Sequence, residues 1–234
     1  MVTMPKKLKK LEKSSENKLL LEKQKVYKKV FENACKDLIM SNYEKRLTNA
    51  GLACIVEPDK YTVSVPFFDE VITFEVPGFS FKSSKQVNIT LVTKIMILHY
   101  INTASGSPLS GEKITYEDIP GLRGYQPVFE KRAAKPLVVA FGYDRHAFID
   151  AGQGLGAIPE DYGDASFTLY AFPRVPLTFI LWEGSEEFPP SVKILFDSSV
   201  INYLPLEDIT VLAKLASTRI LKEARKGLSE GDFI

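Results

Sequence analysis

The feature that most constrains this chain is a pair of strand-like runs, residues 166–172 and 177–182, joined by the corner Pro173-Arg174-Val175-Pro176. Both runs hold the β-branched and aromatic residues that fit a pleated, half-buried surface. Proline has no N–H to give to a ladder, so Pro173 and Pro176 belong to the turn or to an edge. An antiparallel hairpin is expected, with Arg174 projecting from a stiff bend. A planar guanidinium there suits a carboxylate or phosphate, and an internal partner, Asp164 or Glu183, would serve it equally well. The second run ends at Trp182, the single tryptophan, and continues as Glu183-Gly184-Ser185-Glu186-Glu187. Three carboxylates within five residues fit acid–base work, a hard cation, or a solvated acidic turn. A short apolar element, residues 192–196, then closes at Asp197.

An earlier series, residues 53–56, 61–65 and 71–76, is broken by Pro58-Asp59 and by Pro66-Phe67-Phe68-Asp69, and ends at Pro77-Gly78. It reads as an antiparallel meander. Each series leads into a helix. Asn88 stands at the N-cap position of a run that is apolar nearly all round, which places that helix centrally. Pro205 opens the last helix, with Glu207 and Asp208 in its first turn and Ile209, Leu212, Ala216 and Ile220 on one face. Lys222, Arg225 and Lys226 complement the dipole at its end, and Gly227 is the expected stop. The two helices begin alike, N-I-T-L-V-T-K-I at 88–95 and D-I-T-V-L-A-K-L at 208–215. The likeness raises the prospect of two related β-β-α units.

Between the two series, residues 114–119 suit a short strand. Pro127 suits the first helical position of residues 128–135, and Pro136 either kinks that helix or starts another. Gly152, Gly154 and Gly156 invite a nucleotide reading, but a phosphate cradle needs a strand entering and a helix leaving. A helix-ending loop fits better. His99 reads as a packing residue, because no second metal ligand lies one turn away. His146 falls in a polar surface patch with Asp144, Arg145 and Asp150.

The chain opens with a Lys- and Ser-rich stretch, residues 1–17, read as a mobile or loosely helical tail. From Lys18, Tyr27, Val30, Phe31, Ala34 and Leu38 line a helical face, and Gly51 is a plausible stop. Residues 1–36 carry eleven lysines against four glutamates, a surplus of seven, so with a net charge of +1 the remainder is six negative. No aromatics interleave with the early lysines, and the overall charge is near zero, which disfavours nucleic acid. Cys35 and Cys54 match no disulfide framework or zinc spacing and read as buried free thiols. The longest apolar runs fall short of the ~20 residues a membrane span needs, and a cytoplasmic location is expected.

The fold expected is therefore α+β, an antiparallel sheet built from two hairpins with packed helices and a basic N-terminal helical extension. Residues 18–228 form the single domain, between tails at 1–17 and 229–234. The candidate ligand-binding residues are Arg174, Trp182, Glu183, Glu186, Glu187 and Asp197, gathered beside one hairpin; no metal site and no catalytic residue is assigned. Three functions suit the chain. In the first it binds a cofactor, a tetrapyrrole or flavin stacked on Trp182, Tyr170 or Phe172, or a cofactor-carrying partner. In the second it is an adaptor that docks an acidic partner or RNA through its basic arm. In the third it is a hydrolase or lyase using Glu186, Glu187 or Asp197.

Several motifs together resemble a known family. These are F-P-R-V-P-L at 172–177, W-E-G-S-E-E-F-P-P at 182–190, L-F-D at 195–197, L-P-L-E-D at 204–208, I-L-H-Y-I at 97–101, and the spacing of Tyr125, Phe129 and Arg132. The set is similar to domain of unknown function 3786, over residues 18–226. The resemblance implies a prokaryotic family found largely in anaerobes, some of whose members carry an iron–sulfur domain like that of corrinoid proteins. This chain departs from those members, since two isolated cysteines cannot hold a four-thiolate cluster. The family carries no established catalytic residues to transfer.

Overall fold

The computed structural model describes residues 6–231, with side chains described for residues 21–226. Residues 1–5 of the expected basic tail and 232–234 of the expected C-terminal tail lie outside the described residues. In chain order, α1 (Lys6–Ile39) and α2 (Tyr43–Asn49) precede β1 (Ala53–Glu57), β2 (Lys60–Phe67), β3 (Glu70–Val76), β4 (Phe81–Ser83) and α3 (Leu91–Thr103). Then come β5 (Lys113–Thr115), α4 (Gln126–Phe129), a π-helical turn (Glu130–Ala134), α5 (Lys135–Phe141) and α6 (Arg145–Gly154). The chain closes with β6 (Ile158–Pro159), β7 (Ala165–Phe172), β8 (Val175–Trp182), β9 (Ser191–Asp197) and α7 (Leu206–Gly231).

The α+β class is as expected, but the strands form two antiparallel sheets rather than one. The first has the order β1-β2-β3-β4 and the second β5-β9-β8-β7-β6. The reason lies in a β-bulge. Register slips between Tyr170 and Phe172, and the carbonyl of Ala171 accepts the backbone N–H of Phe68 at 3.2 Å instead of continuing a ladder. The sheets thus meet corner to corner at that bond. Aromatic rings fill the junction: Tyr100 of α3 stacks on Phe172 at 4.2 Å with ring planes 6° apart, and Phe67 lies 5.1 Å from Phe172. One buried cluster therefore runs through both sheets.

The central helix is as its composition demands: Ile95, Met96, Ile97, Leu98, Tyr100 and Ile101 are all buried. Its cap is Thr90, not Asn88, because the Thr90 hydroxyl accepts the Thr93 N–H at 3.2 Å. In α7 the expected face, Ile209, Leu212, Ala216 and Ile220, is fully buried. The helix continues through Gly227 to Gly231, since one glycine costs a helix interior only ~1 kcal/mol. Asp208 lies inside α7, whereas Asn88 precedes α3, so the two similar sequences do not start at equivalent helical positions.

The first helix stops well before Gly51. It ends at Ile39, and Asn42 caps a separate α2 by accepting the Lys45 N–H at 3.0 Å. Gly51 then ends α2 in the left-handed region, φ +68°. Only Ile114 and Thr115 of residues 114–119 lie in a strand, β5. The Asp118 carboxylate accepts the Thr115 N–H and curls the rest into a 3₁₀ turn. Pro136 follows the π-helical turn, whose wider ring accommodates the missing proline N–H ahead of α5. Gly152 and Gly154 end α6, and Gly152 is required there. A Cβ at that position would meet the Phe167 ring of β7 at 2.6 Å. Cys35 is buried and its thiol is pushed up to about 11 by burial and by Glu32, while Cys54 is half-buried.

Candidate functional site

The β2–β3 turn and α7 together make a charged cleft. Phe68 occupies the left-handed region at φ 54°, an uncommon conformation for a bulky residue, and turns the chain so that Asp69 and Glu70 face α7. Arg219 of α7 donates to both, at 2.7 Å to Asp69 Oδ1 and 2.5 Å to Glu70 Oε1. Its guanidinium lies over the rings of Phe67 and Phe68, at 5.0 and 4.9 Å from their centroids. The Glu70 side chain is only 4% exposed, and Ser83 also donates to it. Lys85 pairs with Asp69. Burial would raise the Asp69 carboxyl, but the Lys85 hydrogen bond and the Arg219 charge outweigh it and hold the group below its ordinary range.

This cluster forms one wall of a cavity of about 320 Å³. Thr90 and Thr93 at the start of α3, Thr218, Lys222, Glu223 and Lys226 on α7, and apolar Ile72, Ile89, Leu155 and Leu215 also line it. Gln86, before the Val87 rim, is a second non-glycine residue at φ 54°. Backbone strain of this kind collects at functional sites, as does a buried charge cluster lining a cleft. Sequence reasoning missed the site because Arg219 and Asp69 stand 150 residues apart and neither belongs to a local motif. The one available signal was the bulky Phe-Phe-Asp-Glu run in a turn where glycine or asparagine is usual.

The residues picked out from sequence are not brought together. Arg174 sits in the β7–β8 turn, half-buried, with its Nε 3.5 Å from where a Cβ on Gly51 would stand. It makes no ion pair among the described residues. Trp182 ends β8, eight residues away, so at about 3.3 Å per residue the two lie roughly 25 Å apart. A hairpin necessarily separates its turn from its open end, so among the described residues the two do not share one concavity. The two expected internal partners of Arg174 are engaged at the Trp182 end. Asp164 accepts the Glu183 N–H at 2.8 Å, and Glu183 accepts the Arg145 N–H at 3.1 Å. Glu186 and Glu187 are exposed on the turn beyond.

Asp197 is back at the Arg174 end of the sheet and is a structural carboxylate. It accepts from the backbone and hydroxyl of Ser110, from Gly111 N, and from the backbone and hydroxyl of Ser199, at 2.6–3.0 Å. Burial would raise its carboxyl, yet these donors bring it down to about 2. It therefore does not meet Glu186 and Glu187 in an acid–base pair.

His99 has the partner that no local spacing could supply. Its Nδ1 lies 2.6 Å from Asp208 Oδ2 of α7, tying the central helix to the last one. The Asp208 hydrogen bond raises the imidazole above its ordinary value, against burial, with Glu207 and Asp37 adding to the rise. The pair should contribute its full stability below pH ~6.5 and lose it as pH climbs through the raised folded value. Urea midpoints at pH 6 and pH 9 should differ for the wild type, and His99→Gln should shrink that difference. His146 is exposed on α6.

An α+β architecture of two meander sheets around a shared core, with a buried arginine–carboxylate cluster opening into a cleft, is thus the class of protein defined here. The chain belongs to the family described as domain of unknown function (DUF3786), whose model matches residues 42–219. No curated protein matches the chain, and no solved structure does. Among the described residues, no helix is long and apolar enough to cross a membrane, and no group of three or more His, Cys, Asp or Glu could hold a metal ion.

Proposed function

We propose that this is a cytoplasmic binding protein that takes a small anionic cofactor, free or presented by a partner protein, in the Arg219 cleft. The observation that carries the reading is the buried Glu70–Arg219–Asp69 cluster in the wall of that cavity. Charges are rarely buried unless paired, and here the pairing fixes Arg219 at the mouth of a 320 Å³ space. Ile72, Ile89 and Leu215 offer an apolar surface for a ring or chain, while Lys222, one turn along α7 from Arg219, offers a cation at the rim for a carboxylate or phosphate. Thr93 and Thr218 also line the cleft, their hydroxyls bonded to Thr90 and to the Lys214 carbonyl. The hairpin corner first expected to hold the ligand contributes nothing to this cleft.

The test is absorbance and equilibrium dialysis of anaerobically purified protein with a corrinoid, haem or flavin mononucleotide. One of the three should bind, and Lys222→Glu should weaken it about tenfold, the effect of ~1.4 kcal/mol, with the thermal midpoint unchanged. If none binds, or if the variant binds as tightly as the wild type, the reading is wrong.

A further inference from the structure

Two exposed surfaces of this chain carry opposite charge. The first is on α1. Every residue from 21 to 29 is exposed, whereas Ala34, Cys35 and Leu38 further along are buried, so the helix is anchored at one end and projects at the other. The projecting part carries Lys23, Lys25, Lys28 and Lys29 against Glu22, with Leu21 58% and Val26 62% exposed. Leu21 and Val26, five residues apart, point about 140° apart around the helix, so this segment presents positive charge rather than an apolar face.

The second surface is the open end of the second sheet. Trp182, Tyr162, Tyr143 and Phe188 are all exposed there, Tyr143 and Phe188 to about 70%. They form one neighbourhood: a Cβ on Gly163 would stand 3.3 Å from the Trp182 ring, and one on Gly184 would meet the Tyr143 ring at 2.4 Å. Asp144, Asp161, Asp164, Glu183, Glu186 and Glu187 lie beside these rings in the chain, against Arg145, Lys193 and Lys113, whose Nζ sits 4.7 Å from the Tyr162 centroid. Six carboxylates against three cations leave the face three negative. Such a surface repels nucleic acid and anionic lipid. Lys113 and Lys193 already lie over the Tyr162 and Trp182 rings, at 4.7 and 5.8 Å from their centroids, so incoming lysines would meet the rim carboxylates and the Tyr143 and Phe188 rings.

We propose that the projecting part of α1 in one copy docks on this acidic aromatic face of a second copy. Residues 21–29 carry four lysines against one glutamate, a surplus of three, which matches the three-negative face. The contact is heterologous, patch to a different patch, so it propagates unless two copies exchange helices reciprocally. It is separate from the Arg219 cleft, and either can fail without the other.

Sedimentation velocity of the full chain tests the proposal. At about 50 mM salt the mass should rise with protein concentration, and at about 500 mM it should return to that of one chain, because exposed charges are then screened. Glu186→Lys with Glu187→Lys removes the face, and Lys28→Glu with Lys29→Glu removes the arm. Each double variant alone should stay a single chain. Mixed one to one they should pair, because the unaltered arm of the first meets the unaltered face of the second. A wild type that stays a single chain at low salt, association that survives both reversals, or a mixture that does not pair would each overturn it.

Discussion

Arg219→Ala should cost the fold about 3–5 kcal/mol, the largest loss expected from any single change in the cleft. The reason is what remains behind rather than what is removed. Glu70, with a side chain 4% exposed, would keep its charge without the guanidinium that neutralises it, and the rings of Phe67 and Phe68 would lose their cover. Asp69 suffers less, because Lys85 still pairs with it. The double change Glu70→Leu with Arg219→Leu should recover most of the loss, since replacing a buried pair by apolar groups of similar size is often neutral. Urea unfolding with an unchanged slope measures both. If Arg219→Ala shifts the midpoint by less than about 1 kcal/mol, the cluster is not desolvated as described.

The second large effect is at Asp197. Its five donors come from two different segments, the Ser110-Gly111 loop and Ser199, so the carboxylate ties the long connection after α3 to the end of β9. Asp197→Ala should cost about 2 kcal/mol by leaving the buried Ser199 N–H, and the more exposed Ser110 and Gly111 N–H groups, without their acceptor. The carboxyl sits at about 2 in the folded chain against an ordinary ~3.9, so it is depressed and stabilises the fold above pH ~4. That contribution, about 2 kcal/mol, is lost as pH falls from about 4 to 2. Comparing acid unfolding of the wild type and Asp197→Asn shows it: the variant should be less stable at neutral pH and lose less on acidification. Parallel acid profiles would refute the assignment.

Much of the fold is legible in the sequence because period and punctuation agree in it. The meander around Pro58-Asp59 and Pro66, the hairpin at Pro173-Arg174, the all-apolar α3 and the buried face of α7 all follow from local rules. What local rules do not give is how the hairpins meet. The bulge at Ala171, where the second sheet meets the first through the Phe68 N–H, carries no residue signal. The residues expected to gather at one hairpin end are dispersed for a related reason. Proximity in sequence put Arg174, Trp182 and the 183–187 acids side by side, while an extended strand spends its length pulling such residues apart. The groups that do converge, Asp69, Glu70 and Arg219, come from opposite ends of the chain, and His99 likewise found its carboxylate 109 residues away.

The stacking of Tyr100 on Phe172 has a consequence for how the protein could be divided. Tyr100 belongs to the half of the chain that builds the first sheet and Phe172 to the half that builds the second, and the Tyr100 hydroxyl donates to the Ala50 carbonyl at 2.5 Å. Cleaving the connection between α3 and β5 would leave each fragment with a raw aromatic wall and no lid. The two sheets look like modules on a diagram, yet neither can stand as an autonomous unit, and any partner that pries them apart must dissolve the whole interior.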